Sequence, residues 1–327
     1  MADRIPSGTR DVLPDEMREL RAMTDRIREV FERAGYGEVY TPALEYESTL
    51  AGGWTGMTAP AYRVFDEQGN VLVLRTDMTI PIARLVATRY QHAEAPLRFC
   101  YFAHAYRGVR PQRGQSRELL QAGVELIGSP TPEGTAEALT VMCAALDAAG
   151  LENYRVGVGD ASLYPALLET MGVGAEARER ILQSLVSGDF VGVQREMQTT
   201  GVSGEDAELL LRVPTIRGGP EVLADLSGSL EEAATGMRAI HALLEPRVAA
   251  RLIFDLGLVR SLGYYTGAVF QVYDPAHGVP IGSGGRYDEL LGQFGRPMPA
   301  VGFALNVERL HIALTGEERG RVPRGRR

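Results

Sequence analysis

The stretch AYRGVRPQRGQSRELLQAGVELIG, residues 105–128, constrains the fold more tightly than any other part of the chain. It reads as a strand, a basic loop rich in turn residues, and a second strand that ends at Gly128. Successive side chains of a strand point to opposite faces. Leu120, Ala122, Val124 and Leu126 therefore fall on one face, and Gln121, Gly123 and Glu125 on the other. On the preceding strand Tyr101, Ala103, Ala105 and Arg107 share a face. The pair predicts adjacent antiparallel strands carrying an arginine, a glutamine and a glutamate beside small residues. Such a face is either an ordinary solvated sheet surface or a shallow polar platform with room for a ligand above it. Arg107, Arg110, Arg113 and Arg117 crowd the loop as they would around a phosphate. Yet the first strand ends Arg107-Gly108-Val109, with no acidic residue to orient that charge.

Around this pair helical and extended patterns alternate. Residues 15–34 place Leu20, Met23, Ile27, Val30 and Phe31 on one helical face, with Asp15 and Glu16 at the end the dipole favours and Gly35 at the C′ position. GYGEVYTPALE follows as a short strand broken by Pro42, which has no N–H for a ladder and so predicts an edge or an interface. VLVLR at 71–75 predicts a strand, and TDMTIPIARLVATRY a helix with Pro81 in its first turn. Residues 131–150 predict a helix and YRVGVGD a strand. Between 166 and 244 the texture changes to short helical segments without strand alternation. RLIFDLGLVR and GYYTGAVFQVYD return to strand patterns; GSGGRYDELLGQFG reads as a glycine turn into a helix, and VGFALNVERLHIAL as a last helix. The chain thus divides into a core (1–165), a helical insertion (166–244), the second part of the core (245–315), and a basic tail (316–327) that reads as solvated and disordered.

Composition narrows the function. The 327 residues are 45% hydrophobic and 23% charged, an ordinary globular balance. A formal net charge of −8 argues against a surface built to wrap nucleic acid. Cys100 and Cys143 stand far apart in apolar surroundings and read as buried free thiols in a reducing cytoplasm. His92, His104, His241, His277 and His311 are scattered without metal-ligand spacing, so neither a metal nor a cofactor is expected. His104 alternates opposite to Arg107 and reads as a core or interface histidine. The glycine run near 282–285 lacks the Gly-Lys-Ser/Thr ending of a P-loop. The polar N-terminus is no signal peptide, and no apolar run approaches the ~18 residues of a membrane span, so the chain reads as soluble, cytoplasmic and free of membrane partners.

Six blocks point to a family. PSGTRDVLPDE, LRTDMT, YRGVRPQRGQSRELLQAGVELIG, LVRSLGYYTGAVFQVY, GGRYDELLGQFG and PAVGFALNVERL resemble, in kind and order, the histidyl-tRNA synthetase catalytic domain over residues 5–315. The resemblance implies an α+β fold: a class II aminoacyl-tRNA synthetase-like antiparallel sheet flanked by helices, with its site on the sheet face. It implies a homodimer through the helix and strand of residues 15–42. It also implies an amino-acid pocket, in which Asp77 reads an imidazole and Thr79, Gln121 and Glu125 hold an α-amino group. Tyr264 and Tyr265 would stand beside the ring, with Tyr265 facing it because the two alternate along a strand, and Arg260 near the carboxylate. The set is chemically coherent: an imidazole needs an acceptor for its N–H and a partner at its second nitrogen, and an ammonium needs buried acceptors. Asp77 and Thr79 are equally placed to cap the helix that starts near Pro81, and Arg260 to pair with Asp255.

The departures from the synthetase pattern lie on the nucleotide side. Val109 stands where the synthetases have a glutamate on the adenine amino group, a loss of about 1–3 kcal/mol. Asn306 replaces a glycine where backbone comes close to ATP, and Gly263 and Gly267 replace an aspartate and a basic residue. The sequence stops just past the closing helix, without an anticodon-binding domain, and Arg107 and Arg309 are left as a vestigial nucleotide or phosphate site. This combination is similar to the histidyl-tRNA synthetase-like regulatory subunits of ATP phosphoribosyltransferase. It implies a non-catalytic regulatory role in the first step of histidine biosynthesis, required for activity of a short catalytic subunit and mediating feedback inhibition by L-histidine. The implied assembly is a hetero-octamer with that subunit, without tRNA. Two alternatives stay open: a truncated enzyme that adenylates histidine, supported by Arg107, Gln121, Arg260 and Arg309, and a free-standing histidine sensor.

Overall fold

The computed structural model describes residues 5–51, 61–108, 116–224, 226–258 and 263–321. Helical spacing of apolar residues produces α1 (Pro14–Arg33), with Leu20, Met23, Ile27 and Phe31 buried. Pro14 sits in the first turn, where a missing N–H leaves no bond unmade. Gly35, at φ 82°, ends the helix and lets the Tyr36 N–H reach the Phe31 carbonyl at 3.0 Å. There follow β1 (Gly37–Glu38), β2 (Leu44–Tyr46), α2 (Glu47–Ala51), β3 (Arg63–Phe65), β4 (Val71–Leu74) and α3 (Thr79–Arg89). The central hairpin is β5 (Leu97–Tyr106) and β6 (Glu118–Ile127); α4 (Glu133–Ala149) and β7 (Arg155–Asp160) come next. A helical stretch holds α5 (Leu163–Thr170), α6 (Ala175–Ser187), α7 (Phe190–Thr200), α8 (Gly204–Arg212), β8 (Arg217–Gly218), α9 (Glu231–Ala242) and α10 (Pro246–Ala249). The chain closes with β9 (Leu252–Asp255), β10 (Ala268–Asp274), β11 (His277–Arg286), β12 (Ala300–Asn306) and α11 (Val307–Arg321).

Among the described residues nine strands form one sheet in the order β1-β5-β6-β12-β11-β10-β7-β9-β8, and β2, β4 and β3 form a second, small one. From β5 to β7 every pairing in the large sheet is antiparallel. The expectation of a purely antiparallel sheet fails at both ends, where β1 runs parallel to β5 and β9 parallel to β7. Each of these pairs is joined by a long connection containing helix, which is what parallel pairing requires. As Pro42 suggested, β1 lies at an edge.

Two readings of the C-terminal third are corrected. The GSGG run is the middle of β11 rather than a turn, and VGFALN is strand β12 rather than the start of a helix. Glycine hides a strand from propensity, but here backbone proximity demands it: a β-carbon on Gly284 would lie 2.3 Å from the Gly302 carbonyl oxygen. β12 is buried on both faces, so its apolar run shows no period that separates strand from helix. The stretch read as free of strands contains β8, which pairs with β9 at the far edge. Its helices bury Ile181, Leu185, Val193, Met197 and Met237 in the same cluster as Phe31, Val124 and Phe303. Of the segment read as a disordered tail, residues 316–321 are helical and 322–327 lie outside the described residues; Glu317 is buried, and its carboxylate accepts the N–H groups of Glu152 and Asn153 at 3.1 and 2.7 Å.

The two faces of the sheet have different cover. Phe31 packs on Phe102 and Phe303, at 5.8 and 5.9 Å between ring centroids, which puts α1 and its neighbour α4 on one face. On the other, Met78, Ile82, Ala83 and Val86 pack over Phe99, Tyr101 and Ala103. α3 thus roofs the β5 side of that face. Cys100 and Cys143 are buried free thiols. No described helix is long and apolar enough to cross a membrane, and no described cluster of three or more His, Cys, Asp or Glu is arranged to hold a metal.

Candidate ligand-binding site

Strand register assembles the site. Phe99 pairs with Glu125, Glu125 with Gly302, and Gly302 with Gly285, so these residues form one row on the face roofed by α3. The next row is Tyr101, Gly123, Ala304 and Ser283, and the third Ala103, Gln121 and Asn306. The alternation read from residues 101–105 and 120–126 is the observed one. What alternation does not reveal is how much of this floor is glycine. A β-carbon at Gly123 would stand 2.4 Å from the Tyr101 hydroxyl oxygen, and one at Gly285 would meet the Tyr265 ring at 2.8 Å. These absent side chains leave room for tyrosine rings to lie on the sheet.

Glu125 is the centre of the site, with 1% of its surface exposed. Its Oε1 accepts the Thr79 hydroxyl at 2.7 Å, and its Oε2 accepts the Tyr287 hydroxyl. Burial pushes its carboxyl up to about 8; the two hydroxyl donors oppose that rise, and the nearby Asp77 carboxyl adds to it. Tyr264 bonds to Thr79 and packs edge-on to Tyr287, 5.8 Å between centroids, and against Tyr265 at 5.0 Å. The expectation that Tyr264 and Tyr265 alternate on a strand is corrected: both precede β10, which starts at Ala268, and both border the site. A turn removes the face-switching that a strand would impose.

Asp77 both caps and faces the site. Its Oδ1 accepts the Ile80 N–H at 3.0 Å at the start of α3, and Oδ2 accepts the Thr76 hydroxyl at 3.2 Å. Burial raises its carboxyl above the usual range, against these hydrogen bonds and the Arg107 charge. Gln121 is nearly buried, with Oε1 lacking a hydrogen-bond partner. Arg107 is exposed at the end of β5, its N–H donating to the Arg117 carbonyl at 2.8 Å. Arg260, Val109, Arg110 and Arg113 lie outside the described residues.

Arg309 stands apart from this cluster. Its Nη1 donates to the Pro280 carbonyl at 2.8 Å, and its own N–H is capped by Asn306 Oδ1 at 2.8 Å. It borders a different cavity of about 680 Å³, shared with His104, Glu118 and His277. Register puts His104 and Glu118 on the face opposite Glu125. His104 is exposed, which excludes a core role.

Comparison with known proteins identifies the fold and its kin. The family model for histidyl-tRNA synthetase matches residues 8–310. An ATP phosphoribosyltransferase regulatory subunit from Symbiobacterium thermophilum is 42% identical over 318 residues, 95% of this chain and 79% of that protein. One from Moorella thermoacetica is 40% identical over 95% of this chain and 82% of its own length. The chain belongs to the histidyl-tRNA synthetase-like family of ATP phosphoribosyltransferase regulatory subunits. A Bacillus halodurans structure described as an ATP phosphoribosyltransferase regulatory subunit/histidyl-tRNA synthetase superposes with a TM-score of 0.87 at 34% identity, over 96% of this chain and 84% of that one. The histidyl-tRNA synthetase of Nostoc sp., 21% identical, shares the fold with a TM-score of 0.80 over 97% of this chain and 76% of its own.

Two site residues escaped the sequence reading. Tyr287 lies in the GGRYDELLGQFG block, and had that block been taken as strand, residues 283, 285 and 287 would have shared a face. Arg75, 3% exposed, donates to the carbonyls of Thr41 and His104 at 2.6 and 2.7 Å. It pins the loop that carries Asp77 to β5, and a lone arginine in LRTDMT gives no sign of that.

Proposed function

We propose that the chain is the non-catalytic, histidine-sensing regulatory subunit of an ATP phosphoribosyltransferase. The observation that carries this reading is a contrast within one sheet. The amino-acid end is built for a small cationic ligand, with Glu125, Asp77 and Gln121 under a set of tyrosines. At the nucleotide end, the two residues that would meet ATP serve the fold instead: Asn306 caps α11, and Arg309 bonds to the Pro280 carbonyl. The names of the relatives support the same reading.

Within the pocket the geometry favours an exchange of the roles first assigned to the carboxylates. Glu125 lies deepest, among Tyr101, Tyr264 and Tyr287, and on this reading its carboxylate is the acceptor for the imidazole N–H. Asp77 and the unpartnered Gln121 Oε1 suit the ammonium group. Thr79 stays between them, and Arg107, whose charge reaches Asp77, is assigned to the ligand carboxylate.

The partner on this reading is a short catalytic subunit, in a hetero-octamer in the cytoplasm, with L-histidine as effector and no tRNA. The exposed Tyr40 (81%) and Phe65 (73%), near the β1 edge and on the small sheet, support a homodimer through that side. The test is phosphoribosyl-ATP formation by the catalytic subunit, with and without this chain, across a histidine titration. Activation by the chain followed by histidine-dependent inhibition is expected. No change at concentrations that assemble the complex, with histidine-dependent ATP–pyrophosphate exchange instead, would establish the adenylating enzyme.

A further inference from the structure

Asp274 closes β10, and Glu317 reaches it from α11; they are 3% and 6% exposed. Asp274 Oδ1 accepts the Ala276 N–H at 2.7 Å, while the buried Oδ2 has no hydrogen-bond partner. Glu317 accepts the N–H groups of Asn153 and Glu152 in the turn between α4 and β7, and its carboxyl lies within hydrogen-bonding reach of Asp274. Two ionised carboxylates in such a contact are both acceptors and repel. One proton turns the contact into a short O–H···O⁻ hydrogen bond and gives Oδ2 its missing partner. We propose that Asp274 and Glu317 share a single proton, and that this proton latches the C-terminal half of α11 to the β10–β11 turn and, through Glu317, to the α4–β7 turn.

The surrounding charges come from four elements. Arg155, on β7, donates to the Tyr154 carbonyl at 3.1 Å. Arg251, before β9, donates to the Glu152 carbonyl and lies over the Tyr154 ring at 4.4 Å. On α11 itself Glu318 and Arg319 are exposed. His277 stands on the other arm of the β10–β11 turn, where burial and then the Arg309 charge make its ring harder to protonate. Arg155 and Arg251 thus help tie the turn that Glu317 caps.

Burial raises the Asp274 carboxyl, and the Glu317 charge raises it further. Burial also pushes Glu317 up, but the Asn153 and Glu152 N–H groups and the Asp274 hydroxyl outweigh it and hold that carboxyl low. Glu317 already accepts two backbone N–H groups, whereas Asp274 Oδ2 has no partner, so the proton is placed on Asp274. Stability from a raised acid is present below its unfolded value and is lost as pH rises through its folded one; stability from a lowered acid is lost as pH falls through its folded value. The latch is closed between the two and opens on the alkaline side.

The experiment is amide hydrogen exchange on the full chain, from mildly acidic to mildly alkaline buffer, corrected for the intrinsic base-catalysed rate. Protection at Glu152, Asn153 and the last turns of α11 is expected to fall about tenfold per pH unit once the pH passes the Asp274 value. In Asp274→Asn the amide donates in place of the hydroxyl, and protection is expected to stay flat. A flat wild type, or a variant that loses protection as the wild type does, would overturn the proposal. So would restoration of alkaline protection by calcium, which would make the pair a cation site. Should the variant fail to fold, carboxyl-carbon NMR titration of the wild type decides: an Asp274 that titrates in the ordinary carboxylate range carries no shared proton.

Discussion

Gly302 lies so close beneath Glu125 that a β-carbon there would stand 1.8 Å from Oε2. The smallest substitution therefore tests the pocket. Gly302→Ala forces the carboxylate off Tyr287 or the strand off its register. A loss of about 1–3 kcal/mol in stability is expected, with histidine binding abolished in calorimetry. Undiminished affinity would show that Glu125 is not the ligand's partner.

Tyr287→Phe removes a single donor from Glu125 Oε2 and leaves the ring's packing on Tyr264 in place. A buried acceptor left unmet costs about 1–3 kcal/mol, so the midpoint of histidine inhibition should move by roughly 5–150-fold. Activation of the catalytic subunit without histidine should be unchanged. A loss of activation as well would point to a structural role for the hydroxyl.

The Glu125 carboxyl, raised to about 8 by burial, gives the pocket a pH response of definite sign. Its contribution to stability is full below the unfolded carboxyl value and is lost as pH rises toward about 8, because the ionised form is buried. A ligand N–H or cation favours that ionised form. Histidine should therefore bind more tightly as pH rises toward 8, releasing protons, and calorimetry in buffers of different ionisation heat measures the release. Uptake of protons, or none, contradicts this.

Asn306 is expected to behave as a helix cap and nothing more. Asn306→Ala should lower stability by ~1 kcal/mol, and Asn306→Gly by only a few tenths. Neither should alter histidine binding, and the glycine variant should not acquire ATP binding, because Arg309 is held on the Pro280 carbonyl. Equilibrium dialysis with ATP checks the last point.

The site was legible in the sequence as far as alternation reaches. Gln121, Gly123 and Glu125 share a face because a strand's geometry leaves no choice, and register carried that face correctly to β5. The same logic was blocked at β11, where glycines masked a strand, and so Tyr287 went unnoticed. Asp77 was read with two roles, and the structure shows the capping one, with Oδ1 accepting the Ile80 N–H. Arg75 and Arg309 were beyond reach. Their partners are backbone carbonyls, and no residue type marks a carbonyl that needs a donor.

The glycine floor at 123, 285 and 302 also limits how such a chain can drift. Each of these positions already holds the smallest residue and abuts a tyrosine ring, a carboxylate or a neighbouring strand. New ligand preferences cannot arise there by enlarging a side chain. On the proposed reading, innovation is left to the roof, at Asp77, Thr79, Tyr264 and Tyr265, where one exchange would alter what is recognised without unseating the sheet. A lineage of such proteins would be expected to vary above the ligand and stay frozen beneath it.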